Sequence, residues 1–185
     1  DIASKIEKLH IMFEECGLQK GDKVALCSRN QANWAVAFLS AMTYGAVPVP
    51  LLHEFKSSNI HHLVNHSEAK ILFVDDVIWE GLTETEMPAL QAIIQVNTFK
   101  LLYAADPKIE YARANLNVLF GQKYPTEFNR NCINYYEDKP DELAIINYTS
   151  GTTSAPKGVM LRYECISANV EFGQDRLPSY PEDKI

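Results

Sequence analysis

The chain has 185 residues, 46% of them apolar and 22% charged, and a net charge of −7 from 24 acidic and 17 basic residues. That length and composition suit one globular domain with a core of its own and exclude a disordered chain. An acidic balance with no Lys/Arg cluster speaks against a nucleic-acid-binding surface, so a polyanionic ligand would have to be met locally, by backbone N–H groups and a few placed cations.

The first element is a helix, because Ile2, Ile6, Leu9 and Phe13 recur at helical spacing and Cys16-Gly17 ends the pattern. Lys20-Gly21-Asp22 reads as a turn and Lys23 to Ser28 as a short apolar strand. Asn30 is the expected cap of a helix over Gln31 to Tyr44, which stops at Gly45. Ala46 to Leu52 is a second strand, and Pro48 and Pro50 place it at an edge or an end of a sheet. The whole run from Gln31 to Leu52 carries no charge and has the length of a membrane span, but Gly45, Pro48 and Pro50 split it, so a buried helix followed by a buried strand is the better reading. A helix over Lys56 to Ser67, a strand over Lys70 to Asp76 and a strand over Ala92 to Val96 follow. Strands alternating with helices at these spacings predict an α/β fold, a mostly parallel sheet flanked by helices on both faces.

Between Thr98 and Asp141 the pattern is weaker. Asp106 to Phe120 fits a helix, and Gln122 to Asp141, rich in Tyr, Asn, Pro and charge, reads as a loop or insertion. Residues 1–185 are expected to form part of an N-terminal domain, with a βαβ-type region over 1–97, a variable region over 98–141, and a loop with its following helix over 142–185. Neither end has the look of a natural terminus, and the chain reads as a fragment of a longer one.

The residues that carry chemistry lie between two apolar runs, Leu143 to Tyr148 and Val159 to Leu161. The segment between them holds Thr149, Ser150, Gly151, Thr152, Thr153, Ser154, Pro156, Lys157 and Gly158. Gly151 permits a backbone in which successive N–H groups converge on an anion. The hydroxyls add adjustable donors, and Lys157 adds a compact positive charge suited to phosphate oxygens. Lys157 precedes its glycine and is followed by a strand-like run, so the expected geometry is strand–loop–strand rather than the strand–loop–helix of a Walker A loop. The loop, having nothing to hold without ligand, is expected to be the least ordered part of the region.

Tyr148-Thr149-Ser150-Gly151-Thr152-Thr153-Ser154-Ala155-Pro156-Lys157-Gly158 closely resembles the signature phosphate loop of the adenylate-forming superfamily, which contains acyl-CoA synthetases, luciferases and nonribosomal adenylation domains. The resemblance extends to Gly17 through Ala25, to Asn30 through Trp34, to Tyr44 through Leu51, to Glu68 through Val74 and to Pro140 through Ala144. It implies an AMP-forming acyl-CoA synthetase of the long-chain fatty-acid type, using ATP, Mg2+ and CoA with a carboxylic acid substrate. It also implies that Thr149, Ser150, Gly151, Thr152, Thr153, Lys157 and Gly158 bind the nucleotide phosphates. The family's acyl pocket, magnesium-binding Glu and catalytic C-terminal Lys would lie beyond Ile185, so no catalytic residue is assigned and the fragment alone is expected to be inactive. Ser154 stands where the family has Gly, and Arg162-Tyr163 where it has Thr-His, a change expected to alter charge at the mouth of the site. An adenylation domain for an amino or aryl acid, and a non-catalytic nucleotide-binding module, are the rival readings.

Other features read as structural. Cys16, Cys27, Cys132 and Cys165 form no CxxC or zinc spacing and suit a reducing, cytoplasmic setting. His62 and His66 have the i,i+4 spacing of a zinc pair, with Glu68 or His53 as a conceivable third ligand, but a solvated, partly interfacial helix accounts for them and no metal site is assigned. Trp34, Phe38 and Met42 read as core, and Asp75-Asp76 as a solvated turn.

Overall fold

The computed structural model describes residues 2–149 and 156–176. Helix α1 (Ile2–Glu15) leads to strand β1 (Lys23–Cys27), helix α2 (Ala32–Tyr44), strand β2 (Val47–Pro50), helix α3 (Ser57–His66), strand β3 (Ala69–Val74) and the single turn α4 (Asp76–Trp79). Strands β4 (Ala92–Gln95) and β5 (Leu101–Ala104), helices α5 (Pro107–Ala114) and α6 (Leu116–Lys123), strands β6 (Leu143–Thr149) and β7 (Lys157–Arg162) and helix α7 (Tyr163–Arg176) complete the order.

The first five strands form one sheet in the order β2-β1-β3-β4-β5. It is parallel except for the antiparallel β4–β5 pair at one edge. The proline-containing β2 is the other edge, where a strand can lack N–H donors without breaking a ladder.

The central strands are mostly apolar because successive side chains enter different cores. Val24, Leu26, Ile71, Phe73, Ala92 and Ile94 point into one core, which also takes Leu9 and Phe13 of α1, Ala37 and Ala41 of α2, and Ile109 and Ala112 of α5. Ala25, Cys27, Leu72, Val74 and Ile93 point into the other, closed by Ile60, Leu63 and Val64 of α3 and by Ile146 and Tyr148 of β6. The charge-free run thus divides into α2 and β2, and among the described residues no helix is long and apolar enough to cross a membrane.

Several local expectations change. Gln31, not Asn30, stands at the N-cap of α2, and no side chain caps it. The helix expected over Asp106 to Phe120 is two helices that meet at Asn115, with the Asp106 carboxylate accepting from Lys108 N at the first N-terminus. Asp75 is buried rather than solvated: Oδ1 accepts from Ile78 N (3.1 Å) to cap α4, and Oδ2 accepts from Arg29 N (3.3 Å). The buried face of α1 is wider than its apolar stripe. Ile2 is exposed, whereas Glu7 and His10 are buried, because α1 is covered by α2 on one side and by α5 and α6 on another. Glu7 is held there by hydrogen bonding from the Tyr124 hydroxyl, and His10 Nε2 lies 3.0 Å from Ser40 O and 3.1 Å from Thr43 Oγ1. Burial lowers the pKa of His10. Trp34 and Phe38 stack at 5.2 Å and pack on the first core.

Candidate phosphate-binding site

Strands β6 and β7 form a separate antiparallel ribbon packed beside β2. Along β6, Ala144, Ile146 and Tyr148 turn inward while Asn147 and Thr149 face solvent, the alternation of a strand with one buried face. The register pairs Ile146 with Met160, Tyr148 with Gly158, and Thr149 with Lys157. Thr149 and Lys157 are the last facing pair among the described residues, and both are exposed.

Three of the seven residues expected to bind phosphate, Thr149, Lys157 and Gly158, are thus brought together at the base of the loop. The other four, Ser150, Gly151, Thr152 and Thr153, lie outside the described residues, as do Ser154 and the expectation that the loop is poorly ordered. Strand β6 runs to Thr149, Pro156 is irregular and Lys157 opens a strand, where a Walker A motif would have begun a helix. The Lys157 ammonium has no carboxylate within ion-pairing distance among the described residues, so its charge is available to an anion. Gly158 is closely packed. A Cβ there would meet Tyr148 Cε1 at 3.1 Å and Ile146 Cγ2 at 3.3 Å, so the absent side chain lets the tyrosine ring lie across β7.

Arg162 pairs with Leu143 at the opposite end of the ribbon, five residue steps from Lys157. At about 3.3 Å per residue that is roughly 17 Å. Arg162 and Tyr163 therefore lie at the end of the ribbon away from Thr149 and Lys157. Arg162 faces Glu164 (3.3 Å), and Tyr163 is buried at the start of α7.

Among the described residues two long-range side-chain connections tie the β6–β7 region to the turn before β1 and to the end of α3, and neither has a local sequence signal. In the first, Glu142 accepts from Lys20 Nζ (2.7 Å) and from the Tyr136 hydroxyl (2.8 Å), and the Lys20 ammonium lies 4.5 Å from the centroid of the Tyr136 ring. Hydrogen bonds from Lys20 and then Tyr136 pull the Glu142 carboxyl down to about 2, and the same contacts push Lys20 up to about 12. In the second, the Tyr148 hydroxyl and His66 Nδ1 share a hydrogen bond of 2.6 Å. His66 is thereby engaged by the ribbon, and His61 Nε2 accepts from Thr83 N (3.1 Å). Among the described residues no three His, Cys, Asp or Glu side chains are grouped to hold a metal ion.

Residues 2–185 match the family described as AMP-binding enzyme. The chain belongs to the AMP-binding enzyme family. A relative, fatty acyl-CoA synthetase A of Dictyostelium discoideum, is 28% identical over 155 residues, 80% of this chain and 22% of that protein. Another, the peroxisomal long chain acyl-CoA synthetase 7 of Arabidopsis thaliana, is 27% identical over 169 residues, 90% and 24% of the two chains. The chain spans about a quarter of the length of these AMP-binding relatives. Among solved structures, an anthranilate CoA ligase in complex with anthranoyl-AMP matches with a TM-score of 0.74 at 16% identity, over 94% of this chain and 31% of that one. The α/β architecture is that of the N-terminal domain of adenylate-forming AMP-binding enzymes. One relative being peroxisomal, the free cysteines do not single out the cytoplasm for this member.

Proposed function

We propose that this chain is the phosphate-binding part of the N-terminal domain of an ATP-dependent acid–thiol ligase, which activates a fatty acid as its acyl-adenylate and transfers the acyl group to CoA. The observation that carries this reading is the β6–β7 ribbon of an AMP-binding enzyme, whose Lys157 faces Thr149 across the loop base with no ion-pair partner among the described residues. A fatty acid is preferred because both relatives named above are acyl-CoA synthetases, one of fatty acyl and one of long chain specificity.

In the proposed reaction a carboxylate oxygen of the acid attacks the α-phosphorus of ATP. The bond to the bridging oxygen breaks, and pyrophosphate leaves with that electron pair. The CoA thiol then attacks the acyl carbon, AMP departs with the C–O electron pair, and the thiol proton passes to solvent. Negative charge grows on the leaving pyrophosphate in the first step, and in this reading the Lys157 ammonium offsets it, with Thr149 as a hydroxyl donor beside it. Ser150, Gly151, Thr152 and Thr153 would add donors from the loop. Mg2+, when bound, would offset charge on the phosphate oxygens.

The test is product analysis with the full-length protein, ATP, CoA and a panel of fatty, aryl and amino acids. Fatty-acid-dependent release of AMP with formation of the thioester is the expected result. AMP release driven by an amino acid instead would place the protein in the adenylation branch. No AMP with any acid would make it a non-catalytic nucleotide-binding module.

A further inference from the structure

Tyr148 touches three parts of the molecule at once. It belongs to β6, one residue before Thr149, and it is only 4% exposed. Its ring lies against the backbone of Gly158 on β7, at a separation that leaves no room for an unshifted Cβ. Its hydroxyl meets Nδ1 of His66, the last residue of α3, and the two rings meet edge to face at 5.8 Å. The anchor end is firm. Ile60, Leu63 and Val64 bury α3 in the second core, and Asn65 Nδ2 donates to Glu86 O at 2.7 Å.

A two-stranded ribbon is a weak support by itself, since its orientation depends on what its buried face meets. Here that face meets α3 through one directional contact placed directly behind the Thr149–Lys157 pair. We propose that His66 is a positioning residue for nucleotide activation: through Tyr148 it sets where the β6–β7 ribbon presents Thr149 and Lys157 to the phosphates of ATP. This rests on the adenylate-forming reading above. A misplacement of about 1 Å in a positioned group can cost on the order of 10²-fold in rate, so loss of the contact should be read in turnover.

The experiment is acid-dependent ATP–pyrophosphate exchange by the full-length enzyme, comparing wild type with His66→Ala, Tyr148→Phe, the double variant and His66→Asn. Thermal unfolding of each variant reports stability separately. The Asn side chain can place a hydrogen-bonding atom near the position of Nδ1. Expected are losses in kcat of about 10- to 100-fold for His66→Ala and for Tyr148→Phe, with KM for the acid unchanged. The double variant should be no worse than either single one, because both remove the same contact. His66→Asn should recover most of the loss. Unchanged kcat in folded His66→Ala, or losses that multiply in the double variant, would overturn the inference alone. Should His66→Ala not fold, Tyr148→Phe removes a single oxygen and breaks the same contact, so that unchanged kcat in it overturns the inference equally. A wild type that exchanges with no acid would overturn the functional reading and this inference with it.

Discussion

Gly45 ends α2 with φ +83°, and Gly17, after α1, has φ +67°. Alanine at either position must adopt the left-handed region, at about 1–2 kcal/mol. The surroundings differ. Nothing lies within 4 Å of a Cβ at Gly17, whereas at Gly45 it would meet Tyr136 Cγ at 2.9 Å and the adjoining ring carbons at 3.1 and 3.2 Å. Cγ is the root of the ring, and Tyr136 is held at both ends, by its N–H to Thr43 O (2.9 Å) and by its hydroxyl to Glu142 (2.8 Å). The ring cannot swing aside without loosening the Glu142 contact, so Gly45→Ala adds an overpacking cost of about 1–3 kcal/mol. The totals are roughly 1–2 kcal/mol for Gly17→Ala and roughly 2–5 kcal/mol for Gly45→Ala. Urea denaturation followed by tryptophan fluorescence measures both. With a slope of about 1–3 kcal/mol per molar, the two midpoints should differ by on the order of 1 M. Truncating the ring, Tyr136→Ala, should shrink that difference. Equal losses for the two glycines, within about 0.5 kcal/mol, would refute the steric account of how residues 136–142 seat against α2.

The Lys20–Glu142 pair gives a pH signature. The folded-state pKa of Glu142 is depressed to about 2, so its contribution is present above the ordinary carboxylate range and is lost as pH falls from about 4.5 towards 2. That of Lys20 is raised to about 12, so its contribution holds below about 10.5 and is lost as pH rises through 12. Glu142→Gln should flatten the acid limb of a stability–pH curve, and an unchanged acid limb would count against the pair. Burial pushes the Cys16 and Cys27 thiols up to about 12, whereas Cys165 is exposed and Cys132 partly so. A thiol reagent at pH 8 should therefore titrate two cysteines in the native protein and four in urea, and rapid native reaction of all four would contradict the described core. Residues 1–185 alone should support no acid-dependent pyrophosphate exchange, and exchange well above background would show that the active site is complete within them.

The parallel core was legible because β1, β3 and β4 are apolar on both faces, which a strand between two helical layers requires. The antiparallel edge was not. Leu101–Ala104 is a four-residue apolar run with no alternation, and every residue of β5 is only half-buried, so nothing in the pattern shows that it pairs antiparallel at an edge. The break between α5 and α6 falls at Asn115 with no Gly or Pro to mark it. Glu7 and His10 look like surface residues of α1 until Tyr124 and α2 are folded against them. The loop and its lysine stood out by local composition, whereas its supports did not. His66 and Tyr148 are 82 residues apart, and Lys20 and Glu142 are 122 apart, so neither pair exists for a reader of local patterns.

In the proposed reaction the end of the β6–β7 ribbon handles the pyrophosphate half of ATP while an acid is activated. The most direct measurement is exchange of labelled pyrophosphate into ATP by the full-length protein, without CoA, as a function of added acid, in wild type and Lys157→Ala. Exchange should depend on the acid and fall by about 10²-fold or more when the ammonium is removed, and adding CoA should then release AMP rather than ADP. Exchange that needs no acid, turnover to ADP and phosphate, or a folded Lys157→Ala enzyme with undiminished exchange would contradict the proposed reaction.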